Sequence, residues 1–157
     1  MIKKIIAGML LGAVTLFALP NDEVELMMIA KAVEKKAIVL ATMELEGKKK
    51  EAFGDLYEFY QVRLMELQVK EVELISDYAK HYDEMTDDRA NEIIEKAIDL
   101  EKKALKLKVH FVEKFKKILT SAEVIRYFQI EKRFKLLKEA KVAEAIPLAI
   151  PNPEPVK

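Results

Sequence analysis

The chain has 157 residues, of which 51% are hydrophobic and 34% charged, with 27 basic and 27 acidic side chains and a formal net charge of zero. That length and apolar content suit one domain with one core, and the balanced charge offers no field of a single sign that would draw a nucleic acid. With no cysteine, the chain has no disulfide, no thiol chemistry and no lipoprotein cysteine.

Residues 1–20, "MIKKIIAGMLLGAVTLFALP", set Lys3 and Lys4 ahead of an apolar run from Ile5 to Leu19 and stop at Pro20 before the acidic "NDEVE". This is the plan of a secretory signal peptide, with Ala18 as the candidate cleavage position. The competing reading is a membrane anchor, although the run is shorter than the ~20 residues a spanning helix needs. A periplasmic protein with a cleaved signal and no membrane span afterwards is expected. Cleavage removes Lys3 and Lys4 from the 27 basic residues, leaving 25 against 27 acidic, so the mature chain stays nearly neutral.

Between Asn21 and Ile146 there is no proline, and the only glycines are Gly47 and Gly54. Strands would need turn residues at short intervals, so the stretch reads as all-α. Four helices are predicted, over about 22–44, 48–82, 87–118 and 121–143.

The first ends near "ELEGKKKE", where the apolar pattern lapses and Gly47 supplies a loop residue. Met27, Met28, Met43 and Met65 lie in the first two helices, where flexible thioethers suit adaptable surfaces and irregular cores alike. The second carries a stripe of Phe53, Leu56, Tyr60, Leu64, Leu67, Leu74 and Tyr78, with one turn missed at Glu71. Thr86 caps the third, with Asp87 and Asp88 at the positive end of its dipole, and its stripe is Ile93, Ala97, Leu100, Ala104, Leu107, Phe111, Phe115 and Ile118. Opposite faces carry Glu66/Lys70, Glu92/Lys96, Asp99/Lys103 and Glu113/Lys117 at the i, i+4 spacing that supports exposed helices.

Each central helix is roughly 50 Å long at 1.5 Å per residue, and their short connection calls for a long antiparallel hairpin. The outer helices pack along it, and so thin an arrangement leaves apolar surface half covered, which favours a homodimer or a binding face. Thr120 and Glu123, just after Leu119, form a T-x-x-E capping box that starts the fourth helix, whose Val124, Tyr127, Ile130 and Phe134 share one face. The tail, residues 147–157, holds four of the five prolines and reads as extended. The division is thus 1–20 signal, 21–146 helical domain and 147–157 tail.

No glycine-rich phosphate loop, nucleophile elbow or zinc-protease motif occurs, so neither enzymatic activity nor a cofactor is expected. His81 stands near Asp83 and Glu84, but zinc or copper would want more nitrogen ligands. His110 lies about 26 residues past the turn, roughly 39 Å at helical rise, so no metal site within one chain is expected and only an intersubunit site stays open. The segment "EKKALKLKVHFVEKFKK" interleaves lysines with apolar residues. It fits either a surface for a partner helix, a membrane surface or an unfolded polypeptide, or a buried stripe with solvated lysines. The candidates for contact with a bound polypeptide are Lys106, Lys108, Phe111, Lys114 and Phe115.

The export signal, four helices, central hairpin and "ILTSAE" together resemble the Spy/CpxP group of periplasmic proteins, marked by a repeated Leu-Thr-x-x-Gln. The segment "RYFQIEKRFKLLKEAKVAEAIPL" is more similar still to small exported relatives of that group. These carry an R-(F/Y)-(F/Y)-Q-(I/V/L)-E run, here Arg126, Tyr127, Phe128, Gln129, Ile130 and Glu131, and an A-x-x-(I/L)-P-L ending, here Ala143 to Leu148.

The resemblance implies a curved hairpin dimerising into a cradle without a cofactor. It also implies one of three roles: an ATP-independent chaperone, a partner of an envelope-stress sensor kinase, or a metal-responsive protein. Leu119 and Thr120 match the second motif copy while Glu123 replaces its glutamine; at "LEGKK" only Leu45 matches the first, with Glu46 in place of threonine. A homodimeric, chaperone-like protein that binds partly unfolded polypeptides, or an envelope-stress accessory, is the leading expectation. The alternatives are a metal-responsive or sensor-binding regulatory module and a structural component of the envelope.

Overall fold

A computed structural model describes residues 21–150, with side chains from Ala30 onward; the expected signal peptide and the end of the tail lie outside the described residues. The described residues form four α-helices and no strand: α1 (Asn21–Met43), α2 (Gly47–Lys80), α3 (Asp87–Phe115) and α4 (Ser121–Ala145), with a 3₁₀ turn (Tyr82–Glu84) between α2 and α3. The fold is all-α.

Helix ends fall where local chemistry puts them. Between α1 and α2 the backbone turns through two left-handed residues, Glu44 at φ 55° and Gly47 at φ 53°, the second at a position glycine occupies without strain. Thr86 caps α3 by accepting from the Arg89 amide at 3.3 Å. At the start of α4 the capping box is complete: the Thr120 amide donates to Glu123 at 2.7 Å, and the Glu123 amide donates to the Thr120 hydroxyl at 3.3 Å. α3 stops at Phe115, earlier than its apolar spacing predicts, because Lys117 and Ile118 switch to amide bonds three residues back, to Lys114 and Phe115.

α2 is the element against which the others lie. Phe53 packs 5.7 Å from Phe115 and Tyr60 5.1 Å from Phe111, while Asp77 pairs with Arg89 at 2.6 Å, so α3 runs opposite to α2. α4 runs in the same direction as α2, as shown by Lys49 with Glu123 at 3.0 Å and Lys138 with Glu71 at 2.6 Å. α1 runs opposite to both, joining α2 through Lys36 with Glu58 and α4 through Lys35 with Glu131.

The core is confined to one end. Val39, Met43, Leu45, Phe53, Tyr57, Tyr60, Phe111, Phe115, Leu119, Val124, Tyr127 and Ile130 are buried there, around a cluster of rings in which Tyr127 lies 4.8 Å from Phe115 and 5.3 Å, edge-on, from Phe53. Edge-on and tilted rings of this kind add roughly 0.5–1.5 kcal/mol per pair beyond the area they bury. Past Tyr60 on α2 and before Phe111 on α3 no described residue is fully buried: Leu64, Leu67, Leu74, Ile93, Leu100 and Leu107 are only half covered. α2 and α3 therefore continue past the core as an arm without a fully buried residue, with the end of α4 and the tail beside α2.

Two expected surface pairs form as spaced, Glu92 with Lys96 and Asp99 with Lys103, each at 2.5 Å. The other two do not. Glu66 pairs with Arg63 at 3.5 Å instead of Lys70. Glu113 pairs with Lys116 at 2.8 Å, because the turn after Phe115 carries Lys117 off helical spacing.

Candidate functional site

α3 carries two apolar stripes. The first turns Phe111 and Phe115 into the core, where they are 5% and 0% exposed. This corrects their assignment as polypeptide contacts: recurring four residues apart, in line with Ile93 and Leu107, they meet Tyr60 and Phe53 of α2 instead. Lys106, Lys108 and Lys114 are exposed as expected, and two of them lie over rings, Lys108 4.9 Å from Phe128 and Lys114 5.0 Å from Phe111.

The second stripe is Ile94, Ile98, Leu105 and Val109, exposed by 55, 45, 62 and 57%. Steps of four, seven and four keep these four within about 60° around the helix at ~100° per residue. Its signal was present in the sequence, but every member stands one or two positions after a member of the longer first stripe and was overshadowed by it. Around it the charge divides along the helix: Glu95, Asp99 and Glu101 border its first half, and Lys102, Lys106 and Lys108 its second. Among the described residues Glu95, Lys102 and Lys106 form no ion pair, whereas Asp99 is held by Lys103.

The motif residues near the start of α4 prove to be framework. Leu119 is buried, and Thr120 and Glu123 form the cap; the Thr120 amide foremost, with Lys49 beside it, holds the Glu123 carboxyl below the usual range. Arg126 pairs with Glu44 at 2.9 Å across the α1–α2 turn. Tyr127 is fully buried and its hydroxyl accepts from the Gln61 amide at 3.2 Å; burial, then the nearby Glu131, pushes its phenol well above the ordinary range. Phe128 is half-buried, Gln129 exposed and Ile130 in the core. Glu131 accepts from Lys35 at 2.7 Å and from Gln61 at 3.2 Å, so the Arg126–Glu131 run seams α4 onto α1 and α2.

At the far end of the arm, the Tyr78 and Tyr82 hydroxyls donate to the carbonyls of Pro147 at 3.0 Å and Leu148 at 2.8 Å. The tail so held forms one wall of an open cleft of about 400 Å³ whose other wall includes Glu71, Lys138 and Val142. His81 is turned inward on Asp77 and Arg89, its Nδ1 2.9 Å from the Asp77 carbonyl, while His110 is exposed with its ring edge against Phe111. Among the described residues no three His, Asp or Glu side chains are grouped to hold a metal ion, and no helix is long and apolar enough to cross a membrane.

No family model, curated protein or solved structure matches this chain. The α3 face has no converging acid, base and nucleophile; it has apolar side chains in line, with cations along one half and anions along the other.

Proposed function

We propose that this is a non-enzymatic protein of the periplasm that binds partly unfolded polypeptides, in the manner of an ATP-independent chaperone. The observation that carries the reading is the exposed stripe Ile94, Ile98, Leu105 and Val109 with lysines along its second half. Unfolded chains present short apolar runs, and covering apolar area gains about 25 cal/mol per Å² whatever the order of residues, which gives weak and broad binding. Lysines on mobile stems add attraction to acidic segments without demanding a fixed geometry. The resemblance to the Spy/CpxP group and the signal-like residues 1–20 support the same reading and its location.

The test is light scattering from a client protein aggregating after dilution from denaturant. The purified protein at up to stoichiometric amounts is expected to suppress scattering, and Leu105→Ser with Val109→Ser is expected to lose much of that effect while remaining helical. Scattering that is unchanged by the wild-type protein would remove the proposal.

A further inference from the structure

Two tyrosines at the outer end of the arm hold the tail by its backbone. Tyr78, on the last turn of α2, and Tyr82, in the 3₁₀ turn that follows, set their rings 5.9 Å apart and edge to face. Their hydroxyls donate to successive carbonyls, those of Pro147 at 3.0 Å and Leu148 at 2.8 Å. The seated segment suits such a hold. Pro147 fixes its own φ at about −65°, has no amide to satisfy, and biases Ile146 to the extended backbone it adopts, at φ −103° and ψ 120°. Side chains take little part: Pro147, Leu148, Ala149 and Ile150 are all exposed, Leu148 by 90%. The tail is thus held as an extended main chain, with little buried apolar area to secure it. Beside it the cleft between α2 and α4 has space left over. Its charged lining residues are already matched, Glu71 with Lys138 at 2.6 Å and Glu139 with Lys135 at 3.3 Å, and Val142, Ala143 and Ile146 supply apolar wall. Such a lining suits an uncharged segment, and the tail has that character: no charged residue occurs from Ala145 to Asn152.

We propose that Tyr78 and Tyr82, with the cleft beside them, form a docking site for an extended, uncharged, proline-bearing segment of a partner protein, and that the chain's own tail fills the site until such a segment displaces it. Aromatic grooves capture proline-rich segments in this way, because the backbone is already extended and its carbonyls are free to accept. A partner whose side chains enter the cleft gains apolar contact that the exposed tail forgoes, which favours the exchange. The tail resists through its tether to α4, which keeps it at an effective concentration in the range of about millimolar. The site uses no residue of the α3 stripe and does not depend on the polypeptide-binding reading of that face.

Displacement of the tail tests this. The chain has no cysteine, so Ile150→Cys takes a single nitroxide label next to the held carbonyls. Electron spin resonance of the full chain is expected to show a slowed label. Tyr78→Phe with Tyr82→Phe should free it, since loss of both donors weakens the hold about tenfold or more. The peptide AIPLAIPN added in trans is expected to free half of the label at about millimolar concentration. AIALAIAN, which must order a looser backbone, should need several times more. The AIPLAIPN titration is expected to be unchanged by Leu105→Ser with Val109→Ser. A label that moves freely with both tyrosines present, or stays slowed without their hydroxyls, would overturn the seating of the tail. Slowing that is lost on dilution would give the seat to the tail of a second copy and overturn the proposal. A tail that AIPLAIPN cannot displace would be a fixed strap, which overturns the docking site. Equal displacement by both peptides would overturn the preference for proline, and a titration lost in the stripe variant would overturn the independence from the α3 face.

Discussion

Replacing Phe115 by alanine tests the division of α3 into a core face and an open face. Phe115 is 0% exposed, and its ring lies 4.8 Å from Tyr127, 5.7 Å from Phe53, 6.0 Å from Phe128 and 6.2 Å from Tyr60. Truncation removes the transfer energy of the ring and leaves a hole, for a usual cost of about 3–5 kcal/mol. The upper half of that range applies, because the neighbours are stiff rings on four-helix framework and cannot collapse into the space, and each loses a tilted or edge contact. A domain of this size holds only about 5–15 kcal/mol in total, so about a quarter or more of its stability is at stake. Leu105→Ala, at a side chain 62% exposed ten residues earlier on the same helix, is expected to change stability by no more than about 0.5 kcal/mol. Urea unfolding followed by far-ultraviolet circular dichroism reads both, through the midpoint at constant slope. A cost for Phe115→Ala below about 1 kcal/mol, or an equal cost for Leu105→Ala, would refute the assignment of the two faces.

High pH should unfold the protein through its core tyrosines. Burial foremost, with Glu131 second, pushes Tyr60 up to about 12 and Tyr57 and Tyr127 higher, whereas unfolded phenols ionise near 10. Stability is therefore full below pH ~10 and falls as the pH rises beyond it, with phenolate absorbance from these three rings appearing together with loss of helix; ionisation in a still helical protein would contradict this. Glu131→Ala leaves Lys35, 17% exposed, with only the neutral Gln61 side-chain oxygen at 3.0 Å and should cost about 1–3 kcal/mol in the same urea assay, with Glu131→Gln recovering part because an acceptor returns. Tyr78→Phe combined with Tyr82→Phe should free the tail: limited proteolysis is expected to cut within residues 147–157 faster while the urea midpoint barely moves, and a large drop in the midpoint would show that the tail supports the fold.

Local signals in the sequence placed the helices well because each rests on chemistry confined to a few residues. Thr120 with Glu123, and Thr86 with the Arg89 amide, are satisfied within one turn, so the starts of α4 and α3 were legible without any tertiary knowledge. The end of α3 was not, since the apolar spacing runs on through Ile118 while the backbone has already tightened to turn toward α4. Val124, Tyr127 and Ile130 face the core as their spacing predicts, but Tyr57, also fully buried, was missed: it sits between Phe53 and Tyr60 and is covered by α4, a neighbour the pattern of α2 alone does not reveal. The same ignorance of neighbours misplaced Phe111 and Phe115. A helix with two apolar stripes does not say which one its partner covers; only the rings of Phe53 and Tyr60 decide it.

The confinement of the core to one end also fixes when the fold can close. Phe53, Tyr57 and Tyr60 are made early in the chain, Phe111 and Phe115 some fifty residues later, and Val124, Tyr127 and Ile130 later still. Between them lies the arm, which contributes no fully buried side chain of its own. A chain being synthesised therefore reaches most of its length with the rings of Phe53 and Tyr57 exposed, and gains a closed core only when the first turns of α4 arrive. Closure of the core is a late event set by the first turns of α4, and a truncation of the last forty residues takes Leu119, Val124, Tyr127 and Ile130 out of it while leaving Phe53 with Phe115 and Tyr60 with Phe111.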